Sequence, residues 1–353
     1  MQPINVAIFG LGRWGQHLLR NFLAHPQANV QAIVDPLPAN LERMAQQFEL
    51  DATVHQLTDW ETAIGLRSLD AVVLATPAAT HYPMVQQALL QGLHVLAEKP
   101  LTLDAASSLD LCELAEKVQR QLVIDHTYLF HPAVLRGKAA LEAQAIGDLR
   151  YGYATRTHLA PVRQDVDALW DLAIHDLAIL NYWLEEKPVR VSARGQGWLQ
   201  PQATNPHHSG TSSSTSSGTG LADVVWATVQ YPSGFQATIH LAWLNCDKQR
   251  RLACVGSQGT IVFDELATDP LMVYRGELQL QGASFVPVNQ QREILEPIGQ
   301  EPLARVCDHF LACVQQNQPS AISSGWLGAD LVRVLQALSR SMEQEGAWVE
   351  IAS

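Results

Sequence analysis

Short apolar runs alternate with segments of helical period along the first third of the chain. Residues 4–9 read as a buried strand, glycines at 10, 12 and 15 interrupt it, and residues 14–24 follow as a helix. A second strand over 30–34 ends at Asp35, which completes a β-α-β unit. The alternation continues through helices at 39–48 and near 59–64, a strand at 71–75, and a helix at 84–91 opened by Pro83 and ended by Gly92. A strand at 94–97, a helix at 104–120 and a strand at 122–125 close the series. Apolar strands separated by helices, with little polar alternation inside them, predict a parallel sheet covered on both faces.

The texture then changes. Residues 149–159 alternate as a strand, and strand character returns at 189–194, 222–231, 236–243, 250–255 and 260–263. Turns at Pro232-Ser233-Gly234 and Ser257-Gln258-Gly259 separate adjacent members as hairpin connections do, so a largely antiparallel sheet is expected. Helices are predicted at 168–184, 302–315 and 325–344. The fold class is thus an α/β dinucleotide-binding domain over 1–125, followed by an α+β domain over 126–353 with a predominantly antiparallel sheet. Residues 207–220 are rich in Ser, Thr and Gly and read as a surface loop or as a lid over a ligand.

At 353 residues the chain exceeds one hydrophobic core, which agrees with two domains. The net charge of -12 argues against a nucleic-acid partner, though not against a small phosphorylated ligand. Five scattered cysteines form no CxxC pair or zinc-type cluster, so no metal is expected, and they fit a reducing compartment. No apolar run approaches the ~20 residues that span a membrane, and no charged leader precedes residue 4. A cytoplasmic protein without a membrane partner is the economical expectation.

Gly10-Leu11-Gly12-Arg13-Trp14-Gly15 is a complete GxGxxG between a strand and a helix. Gly10 allows the tight turn, Gly12 lets the backbone approach a pyrophosphate, and Gly15 permits close packing of helix on strand. Arg13 and Trp14 open the helix whose free N–H groups face the phosphates. Asp35, twenty residues after Gly15, is placed to accept from an adenosine ribose and to oppose the extra phosphate of NADP, which favours NAD; Arg43 works in the other direction. This is a Rossmann-type reading. The strand ends at Thr76-Pro77 and Glu98-Lys99-Pro100 border the same crevice, so Thr76, Pro77, His81 and Glu98 are cofactor-side candidates, with Lys99 where nicotinamide and substrate meet.

The helix around 169–180 is apolar nearly all round and should be buried. Asp171 and His175, four residues apart, share one of its faces. Either they are satisfied core polar groups, or they project toward the nicotinamide. In the second case His175 takes a hydroxyl proton, Lys99 stabilises charge on the oxygen, and Asp171 orients His175 or substrate hydroxyls.

Taken together, the glycine-rich turn, Ala97-Glu98-Lys99-Pro100, Asp171-x-x-x-His175 and the strand-rich second half resemble the glucose-fructose oxidoreductase, inositol dehydrogenase and rhizopine-catabolism (Gfo/Idh/MocA) family. The resemblance implies Lys99, Asp171 and His175 as the catalytic triad, an open, predominantly antiparallel second-domain sheet that forms the oligomer interface, and a homodimer or homotetramer. Residues 153–159 and 162–176 are similar to members from nucleotide-sugar and other sugar pathways, although Asp167 and Ile174 stand where those often have Asn and Pro. Arg156, Arg163, Asp167 and Asp176 are the substrate-side candidates, as ligands of phosphate, carboxylate or sugar hydroxyls. The expected activity is reversible NAD-dependent oxidation of a secondary hydroxyl on a cyclic sugar, polyol or nucleotide sugar. The alternatives are a dihydrodiol-dehydrogenase-like enzyme of another cyclic substrate and a catalytically inactive, NAD-responsive binding protein.

Overall fold

The computed structural model describes residues 2–159, 161–199, 220–297 and 299–351. Most of the Ser/Thr/Gly-rich segment, 207–219, lies outside them, and with it the choice between loop and lid. The chain divides into two compact units, Met1–His131 with Gln300–Val332, and Pro132–Gly299 with Arg333–Ser353.

In the first unit, β1 (Ile4–Phe9), β2 (Ala28–Val34), β3 (His55–Leu57), β4 (Ala71–Leu74), β5 (His94–Glu98) and β6 (Leu122–Asp125) form one parallel sheet in the order β3-β2-β1-β4-β5-β6. Every residue of β4 and β6 is buried, which is why β4 is apolar throughout and β6 is apolar up to Asp125. The helices are α1 (Arg13–Ala24), α2 (Pro38–Gln47), α3 (Trp60–Ile64), α4 (His81–Leu90) and α5 (Ala105–Lys117). Helix α4 begins two residues before Pro83, which sits in the first turn, where its missing N–H costs nothing. Strand β3 was not expected, because His55-Gln56-Leu57 carries no apolar run; its place at the sheet edge needs none.

A division at 125 into two consecutive segments omits one feature: residues 300–332 belong with the first unit. The Ile124 N–H donates to the Ser323 carbonyl at 3.0 Å and the Ser323 hydroxyl donates to the Ile124 carbonyl at 2.6 Å, pairing the distant segment with β6.

The second unit contains α6 (Pro132–Glu142), β7 (Leu149–Leu159), a π-helical turn at Leu169–Ala173 running into α7 (Ile174–Leu184), then β8 (Arg190–Gln196), β9 (Val224–Gln230), β10 (Gln236–Ala242), β11 (Leu244–Gly256), β12 (Gly259–Asp264), β13 (Leu271–Gln281) and β14 (Ser284–Ile294). Helices α8 (Pro302–Gln316) and α9 (Gly325–Glu343) and the short β15 (Val349–Glu350) complete the chain. Nine strands make one sheet in the order β14-β13-β12-β11-β7-β10-β9-β8-β15, antiparallel except where β10 runs parallel to β7. The β13–β14 hairpin was not among the predicted elements, and its outer halves are largely exposed. No helix among the described residues is long and apolar enough to cross a membrane.

Candidate functional site

The strand order reverses between β1 and β4, and in such sheets ligands gather at the carboxyl ends of the strands beside that switch. Gly10 follows β1 with φ +82°, and a Cβ there would lie 2.7 Å from the Ala75 carbonyl oxygen. At Gly15 a Cβ would fall 1.7 Å from the Gly10 carbonyl oxygen, so only glycine lets α1 pack on this turn. Gly12 is the opposite case: a Cβ would meet nothing within 4 Å. It is the N-cap of α1 and offers no side-chain cap, and Arg13 and Trp14 beside it are exposed. This open, uncapped helix N-terminus fits the pyrophosphate of a dinucleotide.

Asp35 is buried, and its carboxylate braces the turn. Oδ2 accepts from the Leu11 N–H at 2.8 Å; Oδ1 accepts from the Leu37 N–H at 3.0 Å and from Asn40 Nδ2 at 2.9 Å. A carboxylate has roughly four acceptor positions, which leaves capacity for a ribose hydroxyl. Arg43 donates to the Leu11 carbonyl and to Asn40 Oδ1, so in this structure its guanidinium takes part in the same brace.

Thr76 and Pro77 follow β4 and lead through a 3-10 turn, Ala78–Thr80, into α4. The Thr80 hydroxyl lies 2.9 Å from the Thr76 hydroxyl and donates to the Pro77 carbonyl at 2.8 Å. His81 is fully buried, with both ring nitrogens on backbone carbonyls. At the ends of β5 and β6, Glu98 and Asp125 are register partners. Burial first, and the Asp125 charge second, push the Glu98 carboxyl well above the usual carboxylate range. Trp14 Nε1 donates to Asp125 Oδ2 at 3.1 Å and the Thr127 hydroxyl to Oδ1 at 2.6 Å, tying the glycine turn to β6. Lys99 follows β5, its N–H donating to Glu98 Oε2 at 3.2 Å; the next peptide bond, Lys99-Pro100, is cis.

In the second unit Asp171 lies in the π-helical turn and His175 in the first turn of α7. A π turn is uncommon and recurs at functional positions. Asp171 accepts from Arg163 Nη1 at 3.1 Å on one oxygen and from Trp243 Nε1 at 3.3 Å on the other. Arg163 also holds Asp165 through two N–H groups, at 2.9 and 2.5 Å. Two of the expected substrate ligands are paired with each other: Arg156 donates bidentately to Asp176 at 3.0 and 2.9 Å, with the ion pair buried. Asp167 Oδ1 accepts from the Trp170 N–H at 3.0 Å and so caps the turn that carries Asp171.

Two residues beside Asp171 went unassigned in the sequence reading. Trp243 is buried, and its indole bond to Asp171 is a long-range contact with no sequence signal. His158, on β7, has its pKa lowered by burial and by Arg250, with the Asp171 charge opposing. A histidine in an alternating strand was the only hint of it.

Residues 4–126 match the model of an oxidoreductase family with an NAD-binding Rossmann fold, and residues 134–262 match the GFO/IDH/MocA C-terminal domain. Inositol 2-dehydrogenase 4 of Saccharopolyspora erythraea is 30% identical over 257 residues, which is 72% of this chain and 70% of that protein. UDP-N-acetylglucosamine 3-dehydrogenase of Acidithiobacillus ferrooxidans is 32% identical over 199 residues; the match takes in 55% of this chain and only 59% of that protein. A levoglucosan dehydrogenase structure, in complex with NADH and L-sorbose, shares the fold over the full length of both chains with a TM-score of 0.82 at 19% identity. The chain belongs to the Gfo/Idh/MocA family of oxidoreductases.

Proposed function

We propose that this protein is an NAD-dependent dehydrogenase that reversibly oxidises a secondary hydroxyl of a cyclic sugar, polyol or nucleotide sugar. The observation that carries the cofactor is the open Gly12 at the uncapped N-terminus of α1, with Asp35 bracing the turn below. Relatives named for inositol and for a UDP-sugar support the substrate class. NAD, when bound, supplies the hydride acceptor. The chain's residues then divide the remaining work: His175 takes the hydroxyl proton, Lys99 stabilises negative charge on the substrate oxygen, and Asp171, oriented by Arg163 and Trp243, fixes substrate hydroxyls or His175. Asp35 favours NAD over NADP.

Cytoplasmic location and a homodimer or homotetramer are part of the same reading. Leu278, Leu280 and Phe285 on the β13–β14 hairpin, with Trp226 and Tyr151 on β9 and β7, leave large apolar side chains exposed on the second-unit sheet, as an interface between copies requires.

The test is a panel of inositols, free sugars and UDP- or dTDP-sugars, followed by NADH formation and repeated with NADP. Turnover of a cyclic hydroxyl compound with NAD is the expected result. Failure to bind NAD overturns the cofactor assignment; binding without turnover on any compound points instead to an NAD-responsive binding protein.

A further inference from the structure

His81 opens α4 directly behind the 3-10 turn and has no solvent exposure. Its Nδ1 lies 3.0 Å from the Pro100 carbonyl oxygen and 3.2 Å from that of Leu101; its Nε2 lies 2.9 Å from the Thr76 carbonyl oxygen. All three partners are acceptors only. The ring therefore spans two backbone segments with both nitrogens against carbonyl oxygens: a neutral ring donates to one segment, a protonated ring to both. The segments are the loops that leave β4 and β5, adjacent parallel strands paired from Ala71↔His94 to Leu74↔Ala97. One of them carries Thr76 and Pro77; the other carries Lys99, one residue before the carbonyl that His81 holds. On its other side the Lys99 N–H is bonded to Glu98 Oε2. The Lys99 backbone is thus held from both directions.

We propose that His81 is a positioning residue for Lys99: its imidazole ties the loop after β4 to the loop after β5 and so sets where the lysine stands relative to the cofactor-side turn. Burial is the main influence on its protonation and lowers its pKa, while the carbonyls oppose that trend. Removing the ring takes this partner from the buried backbone of both loops, which is costly. The catalytic consequence rests on the dehydrogenase reading above; the tie itself does not.

The experiment compares wild type, H81A and H81Q by amide hydrogen exchange of the peptide covering residues 98–103, by NADH titration, and by kcat and KM on the substrate found in the panel. Expected are exchange at least tenfold faster in H81A and intermediate in H81Q, a kcat loss of at least tenfold in H81A with partial recovery in H81Q, and an NADH Kd within threefold of wild type, because the phosphates are held at the glycine turn. If H81A does not fold, H81Q carries the comparison. Wild-type exchange rates in the folded variants overturn the tie. Faster exchange with unchanged kcat and KM overturns the positioning role. If wild type turns over nothing, the dehydrogenase reading fails, and the exchange rates still decide the tie.

Discussion

The carboxylate of Asp35 accepts a 2.8 Å hydrogen bond from the backbone N–H of Leu11, so the residue at the end of β2 holds the shape of the glycine turn after β1. Its other oxygen is bonded to Leu37 and Asn40, which anchors the start of α2 to the same point. A carboxylate placed this way serves the fold, and in the proposed function it serves the cofactor as well.

Replacing it with alanine removes three hydrogen bonds to a charged acceptor, each worth about 1.5–3 kcal/mol in favourable cases. The D35A variant is expected to bind NADH at least tenfold more weakly, to discriminate less against NADPH, and to melt at lower temperature. Fluorescence titration with both cofactors and a thermal melt check all three.

Gly12 and Gly15 should respond in opposite ways to the same added methyl group. In G15A the Cβ collides with the Gly10 carbonyl, so α1 must shift and the protein is expected to be strongly destabilised. In G12A nothing resists the methyl, so the melting temperature should stay near wild type while NADH affinity falls at least tenfold. Unchanged NADH affinity in a folded G12A protein would refute the pyrophosphate assignment.

Separate K99M and H175N variants are expected to lose roughly 10²–10⁴ in kcat, the usual worth of a positioned acid or base, with NADH Kd little changed. The W243F variant removes the indole N–H that donates to Asp171, along with part of a buried ring, and is expected to lose a smaller factor, roughly three- to tenfold. Steady-state kinetics beside NADH binding separates these outcomes; full activity in both K99M and H175N would sink the assignment.

His126 is wholly buried, neither ring nitrogen has a hydrogen-bond partner among the described residues, and burial together with the Lys99 charge pushes its pKa down to about 3. His94, whose Nδ1 accepts from the Gln121 N–H, is pushed down to about 4, by burial first and by Arg120 second. Both fold as neutral imidazoles, whereas the unfolded chain protonates them near pH ~6.5. Their contribution is therefore fully present above that pH and is lost as pH falls from it toward 4 and 3. Melting temperature should decline over this window, and H126L should make the decline shallower. An identical pH dependence in H126L would contradict the assignment.

What the amino-acid pattern determined by itself was whatever rests on local periodicity or on a short motif. The parallel sheet followed from the largely apolar runs at β1, β4 and β6, because strands buried on both faces need no polar alternation. The glycine turn followed from spacing, because positive φ at Gly10 and the contact at Gly15 each demand a missing side chain. Tertiary structure alone decided which polar groups face one another. Arg156 on β7 and Asp176 on α7 read as substrate-side candidates, and the fold pairs them with each other inside the core. The Trp243 bond to Asp171 and the Ser323 bond to Ile124 join residues 72 and 199 positions apart, and no local pattern encodes such distances. His81 shows the same division: it was legible only as a residue between β4 and the next helix, and its hold on Pro100 and Leu101 exists only because β4 and β5 lie side by side.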